Sequence, residues 1–260
     1  MTRFAIIGAS GRMGLSLLQY VQPAQVSAAV VSSQNPHLKQ DVSALLPNKA
    51  PWGVPLTDSV ADAVPLADVV IDFSSVQLTQ AVLESCVHHR VPLVLATTGL
   101  TDALEALVRT ASESIPVLRA ANTSLGVAVL AQAVQLVAQA LPSEYQIEIS
   151  EAHHQHKKDA PSGTALWLGE TAATARGLAS PTPSVRGAGE RDPQFIGYSS
   201  IRAGEIVGEH TVWFVGRHER LELTHRALSR DVFASGALYA AHWLADKPPA
   251  LYTMGDVLRG

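Results

Sequence analysis

Residues 3–7, Arg-Phe-Ala-Ile-Ile, form a short apolar run that passes without a spacer into Gly8-Ala-Ser-Gly11-Arg-Met-Gly14 and then into an amphipathic stretch, Leu15 to Val21. Strand, glycine turn and helix in that order are the local context of a dinucleotide-binding βαβ unit. Gly8 permits the tight turn, Gly11 lets the backbone approach a pyrophosphate, and Gly14 lets the helix pack on the strand. The spacing is GxxGxxG rather than GxGxxG, so the surrounding pattern carries the assignment. A second apolar run, Val26 to Val31, follows at the βαβ distance. It ends in Ser32-Ser33, where an NAD-selective site places an acid for the ribose hydroxyls, and the next acid, Asp41, lies well beyond. With no carboxylate to repel a 2′-phosphate, and with hydroxyls at Ser32 and Ser33 and a cation at Arg12, His37 or Lys39 expected in reach, NADPH is expected to be accepted at least as well as NADH. The plainer alternatives are a mere strand end for Ser32 and Ser33 and solvation for Lys39.

Three more strand patterns follow, at 68–73, 91–96 and 117–121, with a helix from Gln77 to His89. They end in Phe73-Ser74-Ser75, Thr97-Thr98-Gly99 and Asn122-Thr123-Ser124. Open α/β sheets bind ligands at the carboxyl ends of their strands, so these small polar ends outline one cleft. After Leu141-Pro142 the pattern changes to antiparallel-looking strands at 145–151, 195–202, 207–215 and 220–226, with a helix at 164–177 after the first. The expected fold is α/β: a Rossmann-like parallel-sheet nucleotide domain (1–123 and 230–260) and a second α+β domain with a mixed four-stranded sheet (124–229). Ala179 to Pro193 is expected to be a long, mobile loop. So few helices cover the second sheet that self-association through it is expected. The last helix, Arg230 to Ala245, and the tail to Gly260 are expected to pack back on the nucleotide domain.

The composition, 47% hydrophobic and 16% charged over 260 residues, is that of a folded chain. A net charge of −4 with scattered basic residues leaves no footprint for nucleic acid. A single cysteine, Cys86, excludes an internal disulfide and fits a reducing cytoplasm. The N-terminus lacks the basic head, apolar run and cleavage site of a signal peptide. Leu125 to Leu141 carries Gln132, Gln135 and Gln139 on a wet face, so an amphipathic helix is expected and no membrane association.

The chemistry concentrates in Glu148 to Thr164, EISEAHHQHKKDAPSGT. An alternating strand delivers His153 and His154 to a strand end. Ala160 before Pro161 should be extended, Ser162 can cap a helix, and the free N–H groups of Ser162, Gly163 and Thr164 would face an anion. His153 can exchange a proton near neutral pH and Lys157 can hold an anion or donate a proton. His154, His156 and Lys158 favour a carboxylate-bearing substrate. Glu148 and Glu151 could be catalytic, but orienting the histidines or facing water is the plainer role. A zinc site from His153 and His156 with Glu151 or Asp159 is disfavoured by the adjacent lysines, and no metal is expected. No G-x-S-x-G supports a serine hydrolase. A non-catalytic nucleotide sensor needs no such His-Lys cluster, and a thioester enzyme needs a nucleophilic cysteine, whereas Cys86 falls within a helix.

The run Glu151-Ala-His-His-x-His-Lys157-x-Asp159-Ala-Pro-Ser-Gly-Thr164 closely resembles the 4-hydroxy-tetrahydrodipicolinate (dihydrodipicolinate) reductase family. So do Gly8-x-x-Gly11-Arg-Met-Gly14, Thr97-Thr98-Gly99, Ala121-Asn122, Val207-Gly-Glu-His-Thr211, Thr224-His-Arg226 and Ser229-Arg230. The resemblance spans essentially the whole chain. It implies reduction of a cyclic dicarboxylic acid by NADPH or NADH with loss of water, in lysine biosynthesis through diaminopimelate. It implies His153 as the general acid/base and Lys157 as a second proton donor, with His154, Lys157, Ser162, Gly163 and Thr164 holding the substrate carboxylates. Gly8, Ala9, Ser10, Gly11, Arg12 and Met13 resemble the pyrophosphate site. Ala96, Thr97 and Thr98, with Ala120, Ala121, Asn122 and Thr123, resemble the nicotinamide and ribose side; Phe73, Ser32 and Ser33 complete the expected cofactor contacts. A homotetramer joined through the second domain and a hinge that closes on substrate are also implied. The chain departs from the family at Ala96, where glycine is usual, at Thr123, where an aromatic is frequent, and in lacking an acid near Val31.

Overall fold

The structure is a computed structural model that describes residues 1–178, 184–185, 189–191 and 195–260. The chain divides into two compact units, Met1–Leu125 with Arg230–Gly260, and Gly126–Ser229.

In the first unit, strands β1 (Phe4–Ile7), β2 (Val26–Val30), β3 (Leu56–Thr57), β4 (Val69–Asp72), β5 (Leu93–Leu95) and β6 (Pro116–Arg119) stand in the order β6-β5-β4-β1-β2-β3, all parallel. Every residue of β1 and β4 is buried, as expected of strands covered on both faces. Helix α1 (Arg12–Tyr20) starts three residues earlier than the amphipathic pattern suggests, directly at the glycine turn. Short α2 (Val60–Ala63), α3 (Val76–His89) and α4 (Asp102–Ser112) cover one face, where Ala5, Ile7, Val70, Val82, Leu93 and Val108 share one core.

Helix α5 (Leu125–Ala140) leads into the second unit. Strand β7 (Gln146–His153), helix α6 (Gly163–Ala175), β8 (Ser184–Val185), β9 (Gly197–Arg202), β10 (Gly208–Val215) and β11 (Arg220–Ala227) make a mixed sheet of order β11-β10-β7-β9-β8. Four long strands form the expected sheet, and two-residue β8 adds a fifth at its edge. β10 is antiparallel to both neighbours, but β9 runs parallel to β7. The sheet is thus mixed, as expected: the antiparallel look of the run does not extend to this pair, because α6 lies between the two strands in sequence and carries the chain back to the starting end. Leu130 and Val134 of α5 and Leu168 and Ala172 of α6 cover Ile147, Ile149, Tyr198, Val212 and Phe214 on one face. The opposite face is polar. There Trp213 donates to Ser150 at 3.1 Å, and Thr211 and Thr224 bond across strands. The loop expected over Ala179 to Pro193 lies largely outside the described residues.

The chain returns to the first unit through α7 (Asp231–Leu244), β12 (Ala250–Tyr252), which extends the parallel sheet beside β6, and α8 (Met254–Arg259). α7 packs with α1 on the face opposite α3 and α4: Phe4 meets His242 edge-on and Ser16 donates to Asp231 at 2.9 Å. Among the described residues no helix is long and apolar enough to cross a membrane.

The approach of α7 depends on Gly236. A Cβ at that position would lie 1.9 Å from the Thr123 carbonyl oxygen, a backbone atom with no freedom to swing away. Gly236→Ala is expected to cost about 1–3 kcal/mol, read as a lower urea midpoint at unchanged slope. An unchanged midpoint would mean that α7 shifts without penalty.

Candidate active site

Period-two alternation along β7 sends Ile147, Ile149, Glu151 and His153 to the helix-covered face, the first two into the core and the last two to the strand end. Strand register places Ser200, Glu151, His210 and His225 side by side across β9, β7, β10 and β11. A polar row thus crosses the sheet where its apolar core stops.

Glu151 is its centre. Its carboxylate is inaccessible to solvent, yet it accepts from His153 Nδ1 at 2.6 Å, from both terminal nitrogens of Arg202 at 2.7 and 2.8 Å, and from the Ser162 N–H at 3.2 Å. Burial alone would raise its pKa. Hydrogen bonds from His153, Arg202 and Ser200 outweigh that and hold the carboxyl well below the usual carboxylate range. An anionic Glu151 makes Nδ1 the hydrogen-bonded nitrogen of His153, which leaves Nε2 for chemistry. Glycine at 208 leaves room for this ring, since a Cβ there would lie 3.1 Å from His153 Nε2.

Ser162 caps α6, its hydroxyl accepting from the Ala165 N–H at 3.2 Å and bonding His210 Nε2 at 2.9 Å. This differs from the expectation of a free Ser162 N–H, because Glu151 has already taken it. The serine is buried, whereas Gly163, the first residue of α6, is exposed, and a helix start supplies no internal partner for its N–H. Thr164 follows it in the first turn.

Between β7 and α6 the chain turns at His154–Lys157, closed by Lys157 N–H to the His154 carbonyl at 3.1 Å. Gln155 N–H bonds the Gly204 carbonyl, also at 3.1 Å. The Lys157 ammonium meets Asp159 at 2.9 Å. Burial works against ionised Asp159, but the Lys157 hydrogen bond prevails and lowers its pKa. The His154 and His156 rings lie 6.2 Å apart. His153, His154, Lys157 and Ser162–Thr164 are therefore gathered at one end of the second sheet. The Ala160–Pro161 peptide is cis.

Three residues of this site carry no role in the sequence reading: Arg202, which lies outside the quoted motifs, and Gly208 and His210, which lie inside Val207–Thr211 without an assigned function. Arg202 ends the pattern Tyr198-x-Ser200-x-Arg202, whose alternation places it on the same face, but its partner depends on the parallel pairing with β7. Glu148, the other acid weighed, pairs with Arg191 at 2.6 Å on the opposite face. No cluster of three or more potential metal ligands occurs among the described residues.

In the first unit the glycines do separate jobs. Gly8 has φ +81°, and a Cβ there would strike the Phe73 carbonyl and Ser74 Cα, both at 2.9 Å. A Cβ on Gly14 would come within 2.3 Å of the Gly8 carbonyl oxygen. The Gly8 and Ala9 N–H groups are spent on the Val30 carbonyl, and Gly11 N–H bonds the Gly8 carbonyl. What remains is the start of α1, capped by Gly11 without a side chain and with no acid in its first turn. Exposed Gly11 and Arg12, half-buried Ser10 and Met13, and the orphan N–H groups of that turn fit a pyrophosphate.

Ser32 and Ser33 are exposed beyond β2, and Asp41 is no ribose ligand: its carboxylate accepts from the N–H groups of Ser43, Trp52, Gly53 and Val54. Ala96 and Thr97 are buried, Thr98 exposed. Ala120 is buried, Ala121 exposed, and Asn122 accepts from the Ser124 N–H at 2.9 Å. Thr123 Oγ1 donates to the Phe233 carbonyl at 2.6 Å, so its side chain belongs to the packing of α7. Cys86 is fully buried, with its thiol pushed up by burial, which removes the thioester alternative.

Burial and the neighbouring His153 push His210 down to about 3, with Glu151 opposing them. Its ordinary value is 6.5. Below that pH the unfolded chain binds a proton that the folded chain refuses, so stability falls as pH drops from about 6.5 toward 3, and this loss is absent above 6.5. Urea midpoints measured between about pH 6.5 and 4.5 should fall more steeply in the parent than in His210→Asn; parallel slopes would remove His210 as the cause.

Comparison with known proteins follows the same division. The family model described as dihydrodipicolinate reductase, N-terminus, matches residues 2–123, and that for the C-terminus matches 126–258. The 4-hydroxy-tetrahydrodipicolinate reductase of Halorhodospira halophila is 46% identical over 97% of each chain. That of Anaeromyxobacter dehalogenans is 43% identical over 99% of this chain and 98% of its own. A solved structure, dipicolinate-bound dihydrodipicolinate reductase from Paenisporosarcina sp. TG-14, shares the fold with a TM-score of 0.76 at 23% identity over 97% of both chains. Two half-chain models that between them leave almost nothing unmatched, and full-length relatives at this identity, place the chain in the dihydrodipicolinate reductase family.

Proposed function

We propose that this chain reduces 4-hydroxy-tetrahydrodipicolinate to tetrahydrodipicolinate with loss of water, using NADPH or NADH, in lysine biosynthesis through diaminopimelate. The observation that carries the proposal is an imidazole held on a buried carboxylate that also anchors a helix start. In this reading the acid and the anion site stand on either side of Glu151, which bonds His153 Nδ1 and the Ser162 N–H.

A bound reduced nicotinamide supplies the hydride. The balance consumes one hydride and one proton and releases one water and the oxidised nucleotide. His153 donates the proton from Nε2 while Glu151 holds Nδ1 and stabilises the imidazolium before transfer. Lys157, kept in place by Asp159, is the second donor. His154, Lys157, Gly163 and Thr164 bind the substrate carboxylates, and Ser162 shapes the site as the cap of α6. The nucleotide is held by Gly8–Met13, with Ser32, Ser33, Phe73, Ala96–Thr98 and Ala120–Thr123 along its length. For Phe73 and Thr123 the contact falls to the backbone, since the Phe73 carbonyl lies at the glycine turn and the Thr123 hydroxyl is engaged elsewhere. The protein is a cytoplasmic homotetramer in this reading, joined through the second unit, with Ile201 and Trp213 on the sheet face left open by α5 and α6.

His153→Gln should lower kcat by about 10² to 10⁴ while the KM for the nucleotide stays near the parent value; unchanged turnover would remove His153 from its role. The cofactor reading is checked by comparing KM for NADPH and NADH, with NADPH expected to serve at least as well. A strong preference for NADH would overturn the interpretation of Ser32 and Ser33.

A further inference from the structure

We propose that Arg202 is a positioning residue for the acid: by gripping both oxygens of Glu151 it fixes that carboxylate against His153 and sets how tightly the imidazole keeps its proton. The inference rests on the reading of His153 as the proton donor.

The geometry is that of a shared acceptor. Glu151 Oε2 takes His153 Nδ1 at 2.6 Å and Arg202 Nη1 at 2.8 Å, while Oε1 takes Arg202 Nη2 at 2.7 Å and the Ser162 N–H at 3.2 Å. A carboxylate held by one donor rotates about its last bond, but a two-pronged guanidinium fixes its plane. The plane of Glu151 decides where the His153 ring points. Arg202 also donates from Nη2 to the Asp159 carbonyl at 2.6 Å and from Nη1 to the Ile201 carbonyl at 2.7 Å. One side chain thus ties the acid's partner to the end of the loop that carries Lys157.

The electrostatic consequence follows from charge sharing. A carboxylate facing an imidazole alone would favour the imidazolium strongly, and an acid that keeps its proton too tightly is a poor donor. Arg202 takes up part of that negative charge. Other titratable groups near His153 include the adjoining His154 with His156 beyond it, His210 on β10, whose ring centre lies 5.2 Å away, His225 beside it on β11, and Lys157 and Asp159, which pair with each other. Arg202 is the cation that grips both oxygens of the Glu151 carboxylate.

The test is the pH dependence of kcat in the intact enzyme with substrate and NADPH, where an acid catalyst gives a rate that falls on the alkaline side. Arg202→Met should move that fall to higher pH and Glu151→Gln should move it to lower pH, each by about one pH unit or more, with the KM for NADPH little changed. Arg202→Lys, which keeps the charge but not the fork, should hold the alkaline limb near the parent position and recover part of the kcat lost in Arg202→Met. A merely structural Arg202 would lower kcat without opposite displacements. Limbs that stay put, or move in the same direction in both variants, overturn the proposal. Should Arg202→Met not fold, the remaining pair decides: Glu151→Gln displaced with Arg202→Lys in place supports it, and an undisplaced Glu151→Gln overturns it. His153→Gln run alongside separates the two failures. Full turnover there discards the acid itself, whereas lost turnover with immobile limbs discards only the role of Arg202.

Discussion

An ionised carboxylate with no access to water is a constraint that the second unit has to meet before anything else can be arranged. Stripping Glu151 of solvent costs several kcal/mol even after relaxation, and the cost is offset only if every donor arrives. Those donors come from three places: the end of β7 itself, the end of β9, and the first turn of α6. The parallel pairing of β7 with β9, which sets Ser200 beside Glu151 and Arg202 beside His153, is therefore tied to the position of the α6 start. A shift of either element leaves a buried charge with missing partners. Folding and site geometry are in this sense one requirement, and His153 is precise because the sheet cannot form correctly without placing it.

The first unit is governed by absence of side chains in place of charge. Gly8, Gly14 and Gly236 each stand where a single added carbon would meet backbone, so strand, turn and helix approach more closely than alanine allows. The two glycines of the turn bring the start of α1 up against the sheet edge, and Gly236 seats α7 against the Thr123 carbonyl. Asp41 plays the complementary part in the loop after β2. By absorbing four backbone N–H groups it stiffens the segment following Ser32 and Ser33 and uses up its own acceptors in doing so. The position where an acid would select against a 2′-phosphate thus remains without one.

Much of this was legible in the sequence because it is local. The glycine spacing after an apolar run, the alternation of Ile147, Ile149 and Glu151, and the Pro-Ser-Gly-Thr start of α6 all express themselves within a few residues. The sequence leaves Glu151 open as a catalytic acid, a partner for the histidines or a solvated acid, and in the structure it is buried as the partner of His153 and Arg202. What stayed hidden is non-local. Arg202 looks like an ordinary charged strand end until β9 pairs with β7, and His210 is one histidine in an alternating strand until register sets it between Glu151 and His225. The helical start at Arg12 was missed because Gly14 weakens helical periodicity; its presence is explained by packing against Gly8, not by propensity. The engagement of the Ser162 N–H is hidden for the same non-local reason, since the sequence does not show how close Glu151 comes.

That last displacement has a consequence for binding. If Ser162 N–H were open, the proposed anion site would begin against Glu151, and a negatively charged substrate would be repelled by the carboxylate that holds His153. With Ser162 turned inward, the exposed start of α6 begins at Gly163, one residue further along, and Arg202 neutralises Glu151 from the other side. The triad of Glu151, Arg202 and His153 carries no net charge when the imidazole is neutral and a single positive charge when it is protonated. On the proposed binding roles, a dicarboxylate beside it would be held more strongly by the protonated form than by the neutral one. On the proposed role of His153, substrate charge and the loading of the acid would therefore reinforce each other: the molecule that needs a proton would be held best by the site that has one to give.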